Sequence, residues 1–187
     1  HPMVIGQCRA CGLIQLSDPM PASEILPRHS WITYKEPTDH LDQLIDVVTK
    51  LPGITLDTVF CGISYKDDPL LKCLKEKGFQ QTWRLDQLND LGITDVGAGD
   101  ETVLDRFTPR VAARIAEEHG RPDVIVNTRI LEHAREPLAF MEAMRVLVDP
   151  NGYIVCEVPD TVRSLEQGDF SSLWEEHSLY FTPETLK

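Results

Sequence analysis

The 187-residue sequence has no long apolar run and few basic residues. A membrane-spanning helix needs about 20 consecutive apolar residues, and no stretch of the chain approaches that length. Lysine and arginine total 18 against 30 aspartate and glutamate residues, so the net charge is −12. Most of such a surface would repel a duplex phosphate backbone or an anionic membrane. We therefore expect neither nucleic acid nor a membrane as a partner.

The sequence also lacks a disulfide framework, because its five cysteines are odd in number and show no framework spacing. Cys61 and Cys156 lie in apolar strand-like runs and Cys73 lies on a predicted helix. Thiols in such places most often pack as small hydrophobic groups. This usage is typical of a reducing compartment, and we expect a cytoplasmic protein.

Cys8 and Cys11 form a Cys-x-x-Cys pair followed by Gly12, but the sequence holds no second pair. Such a turn is typical of structural zinc sites, in which thiolates fill a tetrahedral shell. The simplest interpretation places the missing pair upstream of His1, with His29 as a weaker candidate ligand. Two free thiols in a truncated turn are the alternative.

Strand-like and helical patterns alternate along most of the chain, without an internal repeat. Apolar runs predict strands at 57–63, 82–85, 124–126 and 153–158. Helical patterns cover 37–51, 68–78, 101–119 and 137–148. This alternation predicts an α/β fold with a Rossmann-like, doubly wound, mostly parallel sheet over residues 36–187. Residues 1–35 are proline-rich with few helix signals, which predicts a separate loop-rich module.

Two turns compete for the ligand turn that a nucleotide-binding α/β sheet places after its first strand, commonly with glycine. Residues 95–100 read Asp-Val-Gly-Ala-Gly-Asp. In such a fold, two strand–helix units of about 20–30 residues each separate the ligand turn from the strand predicted at 124–126, and too few positions lie between Gly99 and that strand. The turn at 60–65, Phe-Cys-Gly-Ile-Ser-Tyr, has the required distance. We therefore assign ligand binding to Gly62, Ser64 and Tyr65 and treat 95–100 as an ordinary loop.

Three polar residues at the ends of later strands extend the predicted cofactor site. Asp86 follows the second strand, where a carboxylate suits ribose hydroxyls. Asn127 and Thr128 end the strand predicted at 124–126, and we expect their side chains to face the cleft. The alternatives are a turn that binds nothing and a solvated surface aspartate.

Ionisable side chains follow the strands predicted at 124–126 and 153–158. His133 comes after Glu132, and His177 comes after Glu176. Histidine can take up a proton near neutral pH, and a neighbouring carboxylate orients the ring or stabilises its charged form. We predict that His133, Glu176 and His177 form a proton-transfer site. A backbone-bonded histidine and a solvated acidic face are the alternatives.

Four motifs together resemble S-adenosylmethionine-dependent C-methyltransferases of deoxysugar pathways. They are Cys8-Arg-Ala-Cys11-Gly-Leu-Ile-Gln-Leu16, Leu131-Glu-His-Ala134, Glu157-Val-Pro-Asp160, and Glu176-His177 with Tyr180-Phe181-Thr182. The resemblance implies a zinc-binding N-terminal module, a class I methyltransferase domain and a C-terminal domain. Since position 1 is His and Thr182-Pro183 predicts a helix start just before the last residue, we expect a chain truncated at both ends.

The resemblance also implies S-adenosylmethionine as cofactor and proton transfer by His133, Glu176 and His177. In the implied reaction, a base removes a proton next to the ketone of a nucleotide-linked keto-sugar, and the enolate carbon attacks the cofactor methyl. The chain departs from the family at Cys61-Gly-Ile-Ser-Tyr-Lys-Asp-Asp68, where a Gly-rich turn is usual, and at Trp174, where a tyrosine is usual. A non-catalytic binding or assembly module and a small-molecule O- or N-methyltransferase are the alternative functions.

Overall fold

A computed structural model describes residues 3–25, 38–95 and 97–187, so His29 and the predicted helix start at Pro37 lie outside the described residues. Within these ranges no helix is long and apolar enough to cross a membrane. The strands and helices, in chain order, are β1 (Ile5–Gln7), β2 (Ile14–Leu16), α1 (Ala22–Ile25), α2 (Leu41–Val48), β3 (Phe60–Gly62), α3 (Asp68–Glu76), β4 (Thr82–Arg84), α4 (Asp100–Arg106), α5 (Pro109–His119), β5 (Val124–Thr128), α6 (Pro137–Leu147), β6 (Tyr153–Glu157), α7 (Val162–Gln167) and β7 (Leu179–Tyr180).

The main sheet has four parallel strands in the order β4-β3-β5-β6. The first of these strands in sequence, β3, therefore lies between its two successors, which is the arrangement of a Rossmann-like sheet and confirms the predicted fold class. Gly62 pairs with Arg84 and Val126, and Thr128 pairs with Glu157. The carboxyl ends of all four strands consequently lie along one edge, where α/β sheets bind their ligands.

Alternate strand residues face two helical layers. Phe60, Val124 and Val126 pack into one cluster with residues of α2 and α3. Cys61 and Ile125 pack into the other cluster with residues of α4, α5 and α6. Each fully buried aliphatic or aromatic side chain contributes about 1.5–3 kcal/mol, so these two layers supply most of the stabilisation.

Helix 101–119, predicted as one element, is divided into α4 and α5. Pro109 has no N–H to continue the first helix, and the Thr108 hydroxyl caps the second by accepting from Val111 N at 3.3 Å. Two further details of the helix predictions are wrong. The helical pattern of 137–148 places Leu138 on the inner face with Met141 and Met144, but Leu138 is 85% exposed. Thr182 begins a short turn rather than a helix.

Between β3 and β5 we expected two further strands, whereas the described residues contain β4 alone. The segment after β4 is instead a series of turns. Asp86 Oδ1 accepts from Leu88 N and Asn89 N, at 3.0 and 2.7 Å, while Asp90 Oδ2 accepts from Asp86 N at 2.7 Å. These carboxylates satisfy backbone donors that a strand partner would otherwise take.

A small antiparallel sheet, in the order β1-β2-β7, joins the N-terminal segment to the C-terminal one. Ile14 pairs with Tyr180 and Gln15 pairs with Leu179. The predicted boundary near residue 35 stays a prediction, and the two parts that it separates share this sheet.

The carboxylate of Asp67 links the turn after β3 to the end of β5. Its Oδ2 accepts from Ile63 N at 2.7 Å and Ser64 N at 2.9 Å, and its Oδ1 accepts from Thr128 N at 2.7 Å. The Thr128 hydroxyl lies 2.7 Å from the same Oδ1. Burial raises the pKa of Asp67 to about 6, because it outweighs these hydrogen bonds.

We expect Asp67→Ala to lower the free energy of unfolding by about 3 kcal/mol or more, since it leaves three buried backbone donors without an acceptor. Urea unfolding followed by circular dichroism measures this loss. The neighbouring Asp68 is exposed and pairs with Arg84, so Asp68→Ala is the matched control and should cost less than about 1 kcal/mol. Equal losses in the two variants would contradict this account of Asp67.

Candidate active site

The turn after β3 directs Lys66 across the carboxyl edge of the sheet. Residues Tyr65–Asp67 form a single 3₁₀ turn with a capping box, in which Ser64 Oγ accepts from Lys66 N and Asp67 accepts from Ser64 N. Because these local bonds fix the backbone, the Lys66 side chain extends toward the ends of β5 and α4. Its side chain is only 16% exposed.

The Lys66 ammonium has three partners. It donates to Arg129 O at 2.9 Å and to Asp100 Oδ2 at 2.9 Å, and it lies 3.4 Å from His133 Nε2. Arg129 has a positive φ of 54°, which is uncommon for a residue with a side chain. Burial alone would lower the pKa of Lys66, but the charge and hydrogen bond of Asp100 raise it, so the ammonium is charged at neutral pH.

His133 is held between this ammonium and a carboxylate. Its Nδ1 lies 3.0 Å from Glu101 Oε1, and the residue is 6% exposed. An ammonium can only donate, so Nε2 is the acceptor and Nδ1–H donates to Glu101. Although burial acts in the opposite direction, the hydrogen bond from His133 lowers the pKa of Glu101.

The structure brings His177 against His133. The ring centroids are 4.9 Å apart with an interplanar angle of 83°, and Trp174 stacks on the other side of His177 at 6.0 Å. Burial, followed by electrostatic interactions with His133 and Lys66, lowers the pKa of His177 to about 4. The ring of His177 is therefore unprotonated at neutral pH.

Glu176 belongs to the same electrostatic environment. Burial and then the charge of Glu101 raise the pKa of Glu176, while His133 and Lys66 act against them. The three residues predicted for proton transfer thus lie together at the carboxyl edge. Their role in catalysis stays a prediction.

Most of the predicted cofactor-binding residues are engaged with the protein itself. A Cβ at Gly62 would lie 2.8 Å from Asp67 Cβ, so this glycine makes room for Asp67. Ser64 caps its own turn, and Thr128 bonds to Asp67. Asn127 is fully buried, and its amide nitrogen lies 3.7 Å from Met144 Sδ.

The other two predicted cofactor-binding residues are more accessible. Tyr65 is 52% exposed. Asp86 is exposed, although its carboxylate holds the turn after β4, and it borders a pocket of about 480 Å³ at that edge of the sheet. The pocket is also lined by Trp83, Arg84, Asn89, Asp90, Glu118 and His119.

Cys8 and Cys11 lie at the tip of the β1–β2 hairpin. Gly12 N donates to Cys8 O at 2.9 Å, and Gly12 has a φ of +78°. Hydrogen bonds from the backbone of Cys11 and Ala10 lower the pKa of Cys8, which favours the thiolate that zinc requires.

Clusters of three potential metal ligands occur elsewhere in the described ranges. They are Glu132 with His133 and His177, and Asp90 with Glu118 and His119. The second is a satisfied structural network, since Asp90 bonds to His119 at 2.9 Å and to the Asp86 amide. Zinc binding by Cys8 and Cys11 stays a prediction.

Sequence reasoning missed Lys66, Asp100 and Glu101. The segment 95–100 was assigned to an ordinary loop, but its last residue begins α4, which carries Asp100 and Glu101 to the site. The Asp-Glu pair at a helix start was a weak signal. Lys66 had no sequence signal, because a single lysine in a turn has no distinctive pattern.

Comparison with known proteins identifies the class. Residues 42–187 match the family described as a methyltransferase domain, so the chain belongs to that family. The chain is also 21% identical to the C-methyltransferase NovU of Streptomyces niveus over 187 residues, which is 99% of this chain and 44% of that protein. It thus spans less than half the length of this relative.

Membership of this family implies S-adenosylmethionine as cofactor. This cofactor carries a sulfonium and an ammonium group, so its site must tolerate positive charge. Two buried carboxylate oxygens without a hydrogen-bond partner, Asp100 Oδ1 and Glu132 Oε2, provide such an environment. These carboxylates therefore fit the charge of the cofactor, and cofactor binding by Gly62 stays a prediction.

We expect the His177 ring to titrate near pH 4 in the folded chain and near the ordinary value of about 6.5 in urea. As pH falls below 6.5, the unfolded chain gains a proton that the native His177 resists, so stability from this group is lost between about pH 6.5 and pH 4. Histidine-selective NMR measures the titration, with His177→Gln to assign the resonance. A folded-state midpoint above pH 6 would contradict the burial described here.

Proposed function

We propose that this domain methylates the carbon next to the ketone of a nucleotide-linked keto-sugar. The observation that carries the proposal is the contact between His133 and His177, with Glu101 bonded to His133 Nδ1, at the carboxyl edge of the sheet. A buried pair of imidazoles backed by a carboxylate is suited to moving a proton. The name of the relative, a C-methyltransferase, supports carbon as the methyl acceptor.

In the proposed reaction, His177 takes the proton from the carbon next to the ketone, and Glu176 belongs to the same proton-transfer group. His177 is unprotonated at neutral pH, and the raised pKa of Glu176 makes it a stronger base than an ordinary carboxylate. The Glu101–His133 pair fixes the neighbouring ring. When bound, S-adenosylmethionine supplies the electrophilic methyl group.

Aromatic side chains hold His177 in place. Trp174 Nε1 donates to Ser171 O at 2.8 Å, and the Tyr180 hydroxyl donates to Trp174 O at 3.2 Å. Both rings contact His177. These contacts restrict the imidazole and reduce the access of water to it, which favours proton transfer from carbon over exchange with solvent.

The remaining features of the resemblance are proposals for the longer protein. They are a zinc module that includes Cys8 and Cys11, a role in sugar biosynthesis and a cytoplasmic location. The thiolate-favouring backbone around Cys8 supports the first of them.

We expect His177→Gln in the full-length protein to lower methyl transfer to a nucleotide-linked 4-keto-6-deoxysugar by about 10²-fold or more, which is the usual contribution of a general base. The dissociation constant of S-adenosylhomocysteine should change less than about threefold, since the substitution leaves the carboxylates of Asp100 and Glu132 in place. Methyl-labelled cofactor followed by NMR of the product identifies the methylated atom.

His119→Gln is the matched histidine control, because His119 bonds to Asp90 and is not among the residues predicted for proton transfer. A second assay follows exchange of the substrate's α-proton in D₂O, which reports on the base without methyl transfer. Exchange should disappear in His177→Gln and persist in His119→Gln. Full activity of His177→Gln, or a methyl group on oxygen or nitrogen, would overturn the proposal.

A further inference from the structure

Negative charge exceeds positive charge around Lys66. The charges of Asp100 and Glu132 both act on its pKa. Asp100 is 5% exposed and Glu132 is 2% exposed. Placing two carboxylates beside one ammonium in such a buried position carries a desolvation cost that one cation does not fully offset.

The hydrogen bonds show the same imbalance. The three N–H groups of Lys66 face Asp100 Oδ2, Arg129 O and His133 Nε2, so none remains for a further acceptor. Asp100 Oδ1 and Glu132 Oε2 are buried without a partner. Buried acceptors are rarely left unpaired, and their presence at this edge of the sheet indicates a ligand with hydrogen-bond donors.

The side chains around the unpaired oxygens favour an organic cation over a metal ion as the ligand. Glu132, His133 and His177 have ligand atoms within 4.8 Å of one another. However, both ring nitrogens of His133 already have partners, Glu101 and Lys66. A divalent ion would also lie close to the Lys66 ammonium and be repelled by it. A primary ammonium group does not need a free histidine nitrogen, because oxygen acceptors alone can bind it.

We propose that Asp100 and Glu132 form a binding subsite for the ammonium group of a ligand, and that Lys66 is the internal cation with which this group competes. The cofactor implied by the family carries such an ammonium on its amino-acid part. The inference goes beyond the proposed carbon methylation, because it concerns ligand charge and does not depend on the identity of the methyl acceptor.

Isothermal titration calorimetry with the full-length protein tests the subsite with two probes. S-adenosylhomocysteine carries the ammonium group, and 5′-methylthioadenosine lacks the amino-acid part. We expect Asp100→Asn and Glu132→Gln each to weaken binding of S-adenosylhomocysteine by tenfold or more. We expect Lys66→Met to tighten it by threefold or more, because the competing charge is removed. Binding of 5′-methylthioadenosine should change less than twofold in all three variants.

Two exposed ion pairs provide matched controls. Lys77→Met removes a cation that pairs with Asp46, and Glu142→Gln removes a carboxylate that pairs with Arg145. Both should leave the affinity for S-adenosylhomocysteine unchanged. Thermal melting checks that each variant is folded, and Lys66→Gln replaces Lys66→Met if the latter unfolds.

Several outcomes would overturn the proposal. If Lys66→Met weakens binding of S-adenosylhomocysteine, Lys66 contacts the ligand carboxylate instead of competing with its ammonium. Unchanged affinity in both carboxylate variants would remove the subsite. Tight binding of Zn²⁺ that is lost in His177→Gln would assign the cluster to a metal. If the affinities are as expected but the unsubstituted full-length protein transfers no methyl group to the keto-sugar, only the proposed function is contradicted.

Discussion

The buried carboxylate of Asp67 is the interaction on which the carboxyl edge of the sheet depends. It accepts hydrogen bonds from backbone N–H groups of the turn after β3 and of the end of β5, which are distant in sequence, and so fixes the turn relative to that strand. Gly62 is required because a side chain there would overlap Asp67. Lys66 lies one residue earlier in the same turn, so Asp67 also fixes its position. The contacts of Lys66 with Asp100 and His133 depend on that position.

The burial of its charged groups distinguishes this site from the exposed ion pairs elsewhere on the protein. Exposed pairs such as Arg145 with Glu142 are screened by solvent and contribute little. The pairs of Lys66 with Asp100 and of His133 with Glu101 are largely buried, where electrostatic interactions are stronger. The shifted pKa values of Glu101, Glu176 and His177 arise from this difference in environment.

Hydrophobic periodicity predicted all four strands of the main sheet and the helices α2, α3, α5 and α6, because burial on two faces imposes those patterns. It did not predict the break before Pro109, although proline itself was the available signal. The convergence of His133 with His177 followed from parallel strands ending at one edge. Lys66, Asp100 and Glu101 were missed because their importance arises from contacts between segments distant in sequence. The pairing of β2 with β7 was missed for the same reason, since strands of two or three residues carry almost no pattern.

The antiparallel sheet β1-β2-β7 connects the N-terminal hairpin to the segment that carries His177. Leu179 and Tyr180 are aligned against β2, and His177 lies two residues before this attachment. The hairpin lies outside residues 42–187, the range that matches the family. Its strand β2 nevertheless pairs with β7 and so fixes the register of the segment that carries His177. A boundary drawn from family similarity alone would therefore separate the segment that carries His177 from the hairpin that it pairs with.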